Sequence, residues 1–178
     1  MSGASRKGRM VLMGVAGCGK SSVGAALADR LGVAYRDGDD LHPAANIEKM
    51  SRGEALTDDD RWPWLTMVGQ ELASPDGPGI IGCSSLKRRY RDLIRKEAGG
   101  PVAFVHLSGS KALIGARMGA RAGHFMPTSL LDSQFSALEP PGPDEGAITV
   151  DIDQPLEALA DLIVKKLEEN SSWTTGSH

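Results

Sequence analysis

Gly14-Val15-Ala16-Gly17-Cys18-Gly19-Lys20-Ser21 follows a short apolar run, Met10-Val11-Leu12-Met13, and leads into residues 21–31, where Val23, Leu27 and Leu31 recur at helical spacing before Gly32. The eight residues have the form G-x-x-x-x-G-K-[ST] in a strand–loop–helix context. Glycines let such a loop wrap around a phosphate with its backbone N–H groups turned inward. The helix that follows presents its positive end to the same anion. The backbone of Gly14, Val15, Ala16, Gly17, Cys18, Gly19, Lys20, Ser21 and Ser22 is therefore the expected nucleotide phosphate site. Lys20 is placed to bridge the β- and γ-phosphates, and the Ser21 hydroxyl to ligate Mg²⁺. The pattern implies binding of a nucleoside triphosphate such as ATP and leaves the phosphoryl acceptor open.

Outward from this loop, strand and helix patterns alternate. Short apolar strands are expected at 33–36, 80–83, 102–107 and 148–152. Pro43 suits the first turn of a helix running to Arg52, with Gly53 as its stop. Thr57 before Asp58-Asp59-Asp60 is an N-cap with acid in the first turn, and the helix behind it carries Trp64, Leu65, Val68 and Leu72. Further helices are expected at 86–98, 110–122, 129–138 and 155–168, the last with Leu156, Leu159, Ile163 and Leu167 inward. Five strands alternating with helices imply an α/β three-layer fold with a parallel sheet covered on both faces. Ligands in such sheets bind beyond the carboxyl ends of the strands, here 14–21, 37–42, 84–87, 108–110 and 153–155.

The 178 residues form one expected domain, 1–178, with frayed ends at 1–8 and 171–178. Twenty basic and 23 acidic residues leave a net charge of −3, so no global positive field favours nucleic acid. Three Trp, three Phe and two Tyr are too few for a base-stacking platform. No apolar run approaches the roughly 20 residues of a membrane helix. Arg6, Lys7 and Arg9 before 10–17 resemble a signal peptide, but the phosphate loop follows at once and a buried strand is the better reading. Two cysteines, Cys18 and Cys83, fit a reduced, cytoplasmic setting.

After the second strand comes Asp37-Gly38-Asp39-Asp40-Leu41-His42-Pro43. A carboxylate here faces the γ-phosphate and can take the proton of an attacking hydroxyl. Asp39 is the candidate general base, and Asp37 the turn residue. An Asp/Gly turn without function would use the same residues. The third strand ends in Ile80-Ile81-Gly82-Cys83-Ser84 without an acid, so Mg²⁺ would rest on Ser21, the phosphates and waters, with Asp39 acting through water.

The chain resembles the bacterial gluconokinases, small phosphate-loop kinases. The resemblance is carried by Val11 to Ser21, Asp37-Gly38-Asp39, Leu41-His42-Pro43, Asn46-Ile47-Glu48-Lys49-Met50, Asp58-Asp59-Asp60-Arg61, Pro63-Trp64-Leu65, Cys83-Ser84, Leu86-Lys87, Tyr90-Arg91-Asp92-Leu93 and Val150-Asp151-Ile152-Asp153-Gln154-Pro155-Leu156, in order along most of the chain. It implies a nucleoside-kinase-like sheet ordered 2-3-1-4-5 and a mobile lid at about 117–137. It also implies transfer of the ATP γ-phosphoryl to the 6-hydroxyl of D-gluconate, and a homodimer. The chain departs from the family at Cys18, at Ser85 and in its Ala/Gly-rich lid.

An anionic polyol needs cations for its carboxylate and polar groups for its hydroxyls. The candidates are Asp39, His42, Lys49, Arg52, Arg61, Ser84, Lys87 and His124, with Arg88 and Arg91 as further cations and Lys87 favoured at the start of its helix. Arg61 follows three aspartates and can serve equally as a structural ion pair. Arg89, Arg91 and Arg95 read as a solvated helix face. Arg117 and Arg121 share one helix face. By the resemblance, Arg117 stacks on adenine and Arg121 reaches the transferring phosphate. Gln154 and Pro155 flank the adenine, with Asp153 able to cap the last helix. His106 reads as a satisfied core histidine. Two other readings remain open here: a kinase for another small acceptor such as shikimate, and a nucleotide-binding regulatory module without catalysis.

Overall fold

The computed structural model describes residues 8–120, 128–170 and 173. Its elements, in chain order, are β1 (Met10–Met13), α1 (Lys20–Leu31), β2 (Tyr35–Asp37), a 3-10 turn (Gly38–Leu41), α2 (Ala44–Ser51), α3 (Asp58–Ala73), β3 (Ile80–Gly82), α4 (Arg88–Ala98), β4 (Ala103–Ser108), α5 (Lys111–Ala120), α6 (Thr128–Ala137), a second 3-10 turn (Pro143–Glu145), β5 (Ile148–Asp151) and α7 (Leu156–Glu168). The strands are all parallel and ordered β2-β3-β1-β4-β5.

Alternation along β1 builds the three layers. Met10 and Leu12 join Leu27 of α1 and Leu159, Ile163 and Leu167 of α7 on one face. Val11 and Met13 join Trp64, Leu65 and Val68 of α3 and Ile94 of α4 on the other. All four β1 residues are fully buried, which explains a continuous apolar strand rather than an alternating one. Element ends fall within a few residues of those expected. Leu156, expected inward, is instead exposed at the first position of α7, and the inward stripe begins at Leu159. Of the two ends, Gly8 is buried and Trp173 packs on it and against the first core cluster; the rest of 1–8 and 171–178 lies outside the described residues. No helix among the described residues is long and apolar enough to cross a membrane.

Local chemistry fixes the helices beside the future site. Thr57 Oγ1 accepts the Asp60 N–H at 3.2 Å and the Asp60 carboxylate accepts the Thr57 N–H at 2.8 Å, a closed capping box on α3. On α4 the expected solvated face of Arg89, Arg91 and Arg95 holds for Arg89, is only partly exposed at Arg95 and fails at Arg91, which is fully buried. Its guanidinium donates from Nε and Nη2 to the two oxygens of Glu145 at 2.7 and 2.9 Å, and from Nη1 to the Ser85 carbonyl at 2.9 Å. Arg95 Nη2 and the Gly142 N–H complete the set on Glu145. Charge spacing within one helix carries no information about an acid that the chain returns 54 residues later.

Burial alone would raise the Glu145 pKa, but the hydrogen bonds from Arg91, Arg95 and Gly142 outweigh it and hold the carboxyl at about 2. The stabilisation is in place above the ordinary glutamate pKa and is lost as pH falls toward 2. Glu145→Gln strips the buried Arg91 of its counter-charge and is expected to cost about 3–5 kcal/mol, measured as a lower urea midpoint with an unchanged slope.

Candidate active site

The carboxyl ends of β1, β2 and β3 open into one cleft of about 610 Å³. One wall is the phosphate loop. Gly14, Gly17 and Gly19 have φ of 148°, 83° and 100°, a region that only glycine enters freely, so the motif's glycines are required by the turn itself. A Cβ on Gly17 would also come within 2.6 Å of the Met118 side chain on α5. The Val15 and Cys18 side chains are buried in the core, which leaves their backbone alone for ligand. Gly19 precedes α1 without a side-chain cap, so the first-turn N–H groups stay open to an anion. Lys20 Nζ donates to the carbonyls of Gly14 (3.0 Å) and Val15 (3.2 Å), holding its charge over the loop. Ser21 lines the cleft beside it, whereas Ser22 is exposed on α1 outside that lining.

The opposite wall starts at the turn after β2. Asp37 caps the 3-10 turn by accepting the Asp39 N–H at 2.9 Å, the expected turn role. Gly38 has no room for a side chain, because a Cβ there would lie 2.4 Å from the Gly82 carbonyl. Trp64 Nε1 donates to the Gly38 carbonyl at 2.8 Å, and the His42 ring stacks on Trp64 with centroids 4.0 Å apart. These contacts hold the turn that places Asp39 on the cleft lining, with its side chain 78% exposed. Partial loss of hydration first, then the neighbouring Asp37 and Asp40 charges, raise its pKa, while Lys20 pulls it down.

His42 is a neutral donor. Burial and then the Arg61 charge lower its pKa to about 4. The Asn46 side chain faces both the Asp60 carbonyl (2.9 Å) and His42 Nδ1 (3.2 Å). A carbonyl only accepts, so the amide nitrogen is the facing atom and it spends both hydrogens. His42 Nδ1 must then accept, and its proton sits on Nε2, which lies 3.8 Å from the Asp39 carboxylate.

The expected cations separate into two groups. Arg61 and Lys87 line the cleft with Ser84. Arg61 makes the structural ion pair considered for it, 3.6 Å from Asp58, and donates to Tyr90 Oη at 3.3 Å while lining the cleft. Asp58 is bound more closely by Tyr90 and Arg89, whose hydrogen bonds lower its pKa. Lys87 caps α4 with its ammonium 5.9 Å above the Tyr90 ring and makes no ion pair among the described residues. Lys49 and Arg52 do not line the cleft. Lys49 is bound to Asp60 of the capping box at 2.7 Å, and Arg52 to Glu54 at 2.5 Å. Both charges are neutralised by acids that lie close in sequence.

On the nucleotide side, Arg117 donates from Nη2 to the Ile152 carbonyl at 2.8 Å, at the end of β5 beside Gln154 and Pro155. None of the three lines the cleft. Asp153 does not cap α7: its N–H donates to Asp151 Oδ1 at 2.9 Å, Gln154 donates to the Asp151 carbonyl, and Pro155 stands at the cap position. Arg121 and His124 lie outside the described residues. His106 is buried, but its Nδ1 lacks a partner among the described residues, so it is not satisfied; burial and the Arg91 charge lower its pKa. Cys18 and Cys83 are buried and free, and burial raises the Cys83 thiol to about 11, where it stays protonated.

Sequence reading missed three cleft residues. Tyr35 places a buried hydroxyl near Ser21 without hydrogen-bond geometry, and burial raises its pKa to about 12. Tyr90 links Arg61, Lys87 and Asp58. Gln134 of α6 accepts the Ala16 N–H of the phosphate loop at 2.6 Å. No local motif marks Tyr35 or Gln134, and Tyr90 stands only inside a block that carries the family resemblance. Among the described residues no cluster of three or more His, Cys, Asp or Glu could hold a metal alone. The donor set of Ser21 and Asp39 in one cleft instead suits a hard cation that keeps phosphate and water ligands.

No protein-family profile matches the chain. It is 47% identical over 154 residues to the thermoresistant gluconokinase of Escherichia coli (strain K12), covering 84% of this chain and 87% of that protein. To the thermosensitive gluconokinase of the same strain it is 52% identical over 139 residues, covering 76% and 73%. The crystal structure of a gluconokinase from Sinorhizobium meliloti 1021 superimposes with a TM-score of 0.82 at 46% identity, covering 93% of this chain and 98% of that one.

Proposed function

This chain belongs to the gluconokinase family, and on that premise we propose how its cleft phosphorylates D-gluconate with ATP. The phosphate-loop backbone and the start of α1 take the β-phosphate, and Lys20 bridges to the γ-phosphoryl. Asp39 takes the proton of the acceptor's 6-hydroxyl as its oxygen bonds to the γ-phosphorus. The bond from that phosphorus to the bridging oxygen breaks, and ADP leaves. Lys87 and Arg61 hold the gluconate carboxylate, while Ser84 and the His42 Nε2–H meet its hydroxyls. Mg²⁺, held by Ser21 with Asp39 through water, would neutralise charge on the phosphates.

Arg117, Gln154 and Pro155 belong to the adenine side of this reading. Arg121 and His124 would join on closure of a lid at about 117–137 within the single domain 1–178, its C-terminal end at Gln134 staying pinned to Ala16. A cytoplasmic homodimer completes the proposal, supported by the two free buried cysteines and by the family resemblance.

One observation carries the reading. Lys20 and Ser21 share a cleft with Asp39 and with Lys87, a cation without a carboxylate partner among the described residues. The shikimate-type alternative needs a different acceptor wall, and the family membership disfavours it. The test is ADP release with ATP and Mg²⁺ across D-gluconate, shikimate, nucleoside monophosphates and no acceptor. Turnover with D-gluconate alone is expected. Turnover with another acceptor alone would overturn the acceptor wall, and ATP binding without any turnover would favour the regulatory reading.

A further inference from the structure

Gln134 stands at the seam between the two walls. Its side-chain oxygen accepts the Ala16 N–H at 2.6 Å, a contact spanning 118 residues of sequence. An N–H can only donate, so the facing atom is Oε1, and Nε2 with its two hydrogens is turned elsewhere. No described residue pairs with Nε2. Ser133 and Ala137 flank Gln134 on the cleft lining.

The helix that carries it is tied to the acceptor side. The Glu139 N–H, just past α6, donates to the Leu86 carbonyl at 2.7 Å, and Glu139 Oε1 accepts the Arg88 N–H at 3.0 Å. Leu86 and Arg88 bracket Lys87, so the chain that anchors α6 also borders the proposed carboxylate cation. Gln134 is thereby fixed between the loop that presents the γ-phosphoryl and the loop that holds the acceptor.

We propose that Gln134 is a catalytic residue of phosphoryl transfer: with Oε1 locked on Ala16, its Nε2 hydrogens donate to the oxygens of the γ-phosphoryl group as it crosses. The inference rests on the kinase reading of the cleft. Charge on those oxygens shifts as the bond to ADP breaks and the bond to the acceptor forms. A donor already held in place stabilises that charge without reorganising at the moment of reaction. The balance of the step is unchanged: the acceptor proton still goes to Asp39, and Gln134 neither gives up nor takes one. A bland alternative is that Gln134 only braces the loop.

Two variants separate these roles. Gln134→Glu keeps an oxygen for the Ala16 N–H and removes the donor; Gln134→Leu removes both. Both are expected to lower kcat by about 10²-fold, with Gln134→Leu binding ADP, which lacks the γ-phosphoryl, as the wild type does. Wild-type kcat in Gln134→Glu would overturn the proposal. So would a loss of ADP affinity in Gln134→Leu that matches its loss of kcat. Slow ATP hydrolysis without acceptor, measured alongside, falls in both variants if the proposal holds. It reads the Gln134 effect even if D-gluconate proves not to be the acceptor, so the two failures are told apart.

Discussion

Asp39→Asn is expected to lower kcat for gluconate phosphorylation by about 10²–10⁴-fold, the range that a positioned general base supplies, and to leave ATP affinity close to wild type. Asparagine keeps the size and can still accept a hydrogen bond from the hydroxyl, but it cannot take the proton. The turn that holds position 39 is fixed by the Asp37 cap, the Trp64 bond to Gly38 and the His42 stack, none of which uses the Asp39 carboxylate. The loss therefore reports chemistry and not a collapsed loop.

The pH profile sharpens this expectation. The Asp39 pKa is raised, chiefly because the cleft strips part of its hydration. Only the ionised carboxylate accepts a proton, so kcat/KM falls as pH drops through that raised value, above the ordinary aspartate range. His42, lowered to about 4, stays a neutral donor at neutral pH. In Asp39→Asn the acid limb that Asp39 contributes disappears. A variant that kept both the limb and the rate would remove Asp39 from the mechanism.

Lys20→Met is the second large effect, a fall in kcat on the order of 10³-fold, as for other cations that meet charge on a transferring phosphoryl. The Lys20 ammonium already sits on the carbonyls of Gly14 and Val15, so its position is set before nucleotide arrives. Methionine fills the stem's volume without the charge, and the loop's backbone N–H groups remain to hold the β-phosphate. ADP binding is expected to weaken far less than kcat falls. Equal losses in both would assign Lys20 to binding alone.

What could be read from the residues was local or periodic. The phosphate loop declares itself because its glycines, Lys20 and Ser21 are contiguous and a helix follows at once. The parallel sheet follows from apolar strands that alternate with helices, and its order was reached only through the family resemblance. The place of Asp39 on the cleft lining was legible because residues just past a strand in such a sheet edge the ligand crevice. Lys49 and Arg52 were chosen for charge alone, and charge does not disclose that Asp60 and Glu54 occupy them. Arg91 was misread because Glu145 reaches it through the return of the chain beneath α4. Gln134 carries no signal in a short polar helix, and only folding brings it to Ala16.

Where the phosphate goes is decided by which hydroxyl reaches Asp39. Incubation with D-gluconate, ATP and Mg²⁺, followed by phosphorus NMR of the product, is expected to show one new phosphomonoester coupled to the methylene protons of the terminal carbon. A phosphate on any other hydroxyl would contradict the placing of Asp39 opposite the carboxylate cations. ADP release with inorganic phosphate as the sole product would contradict gluconate as the acceptor.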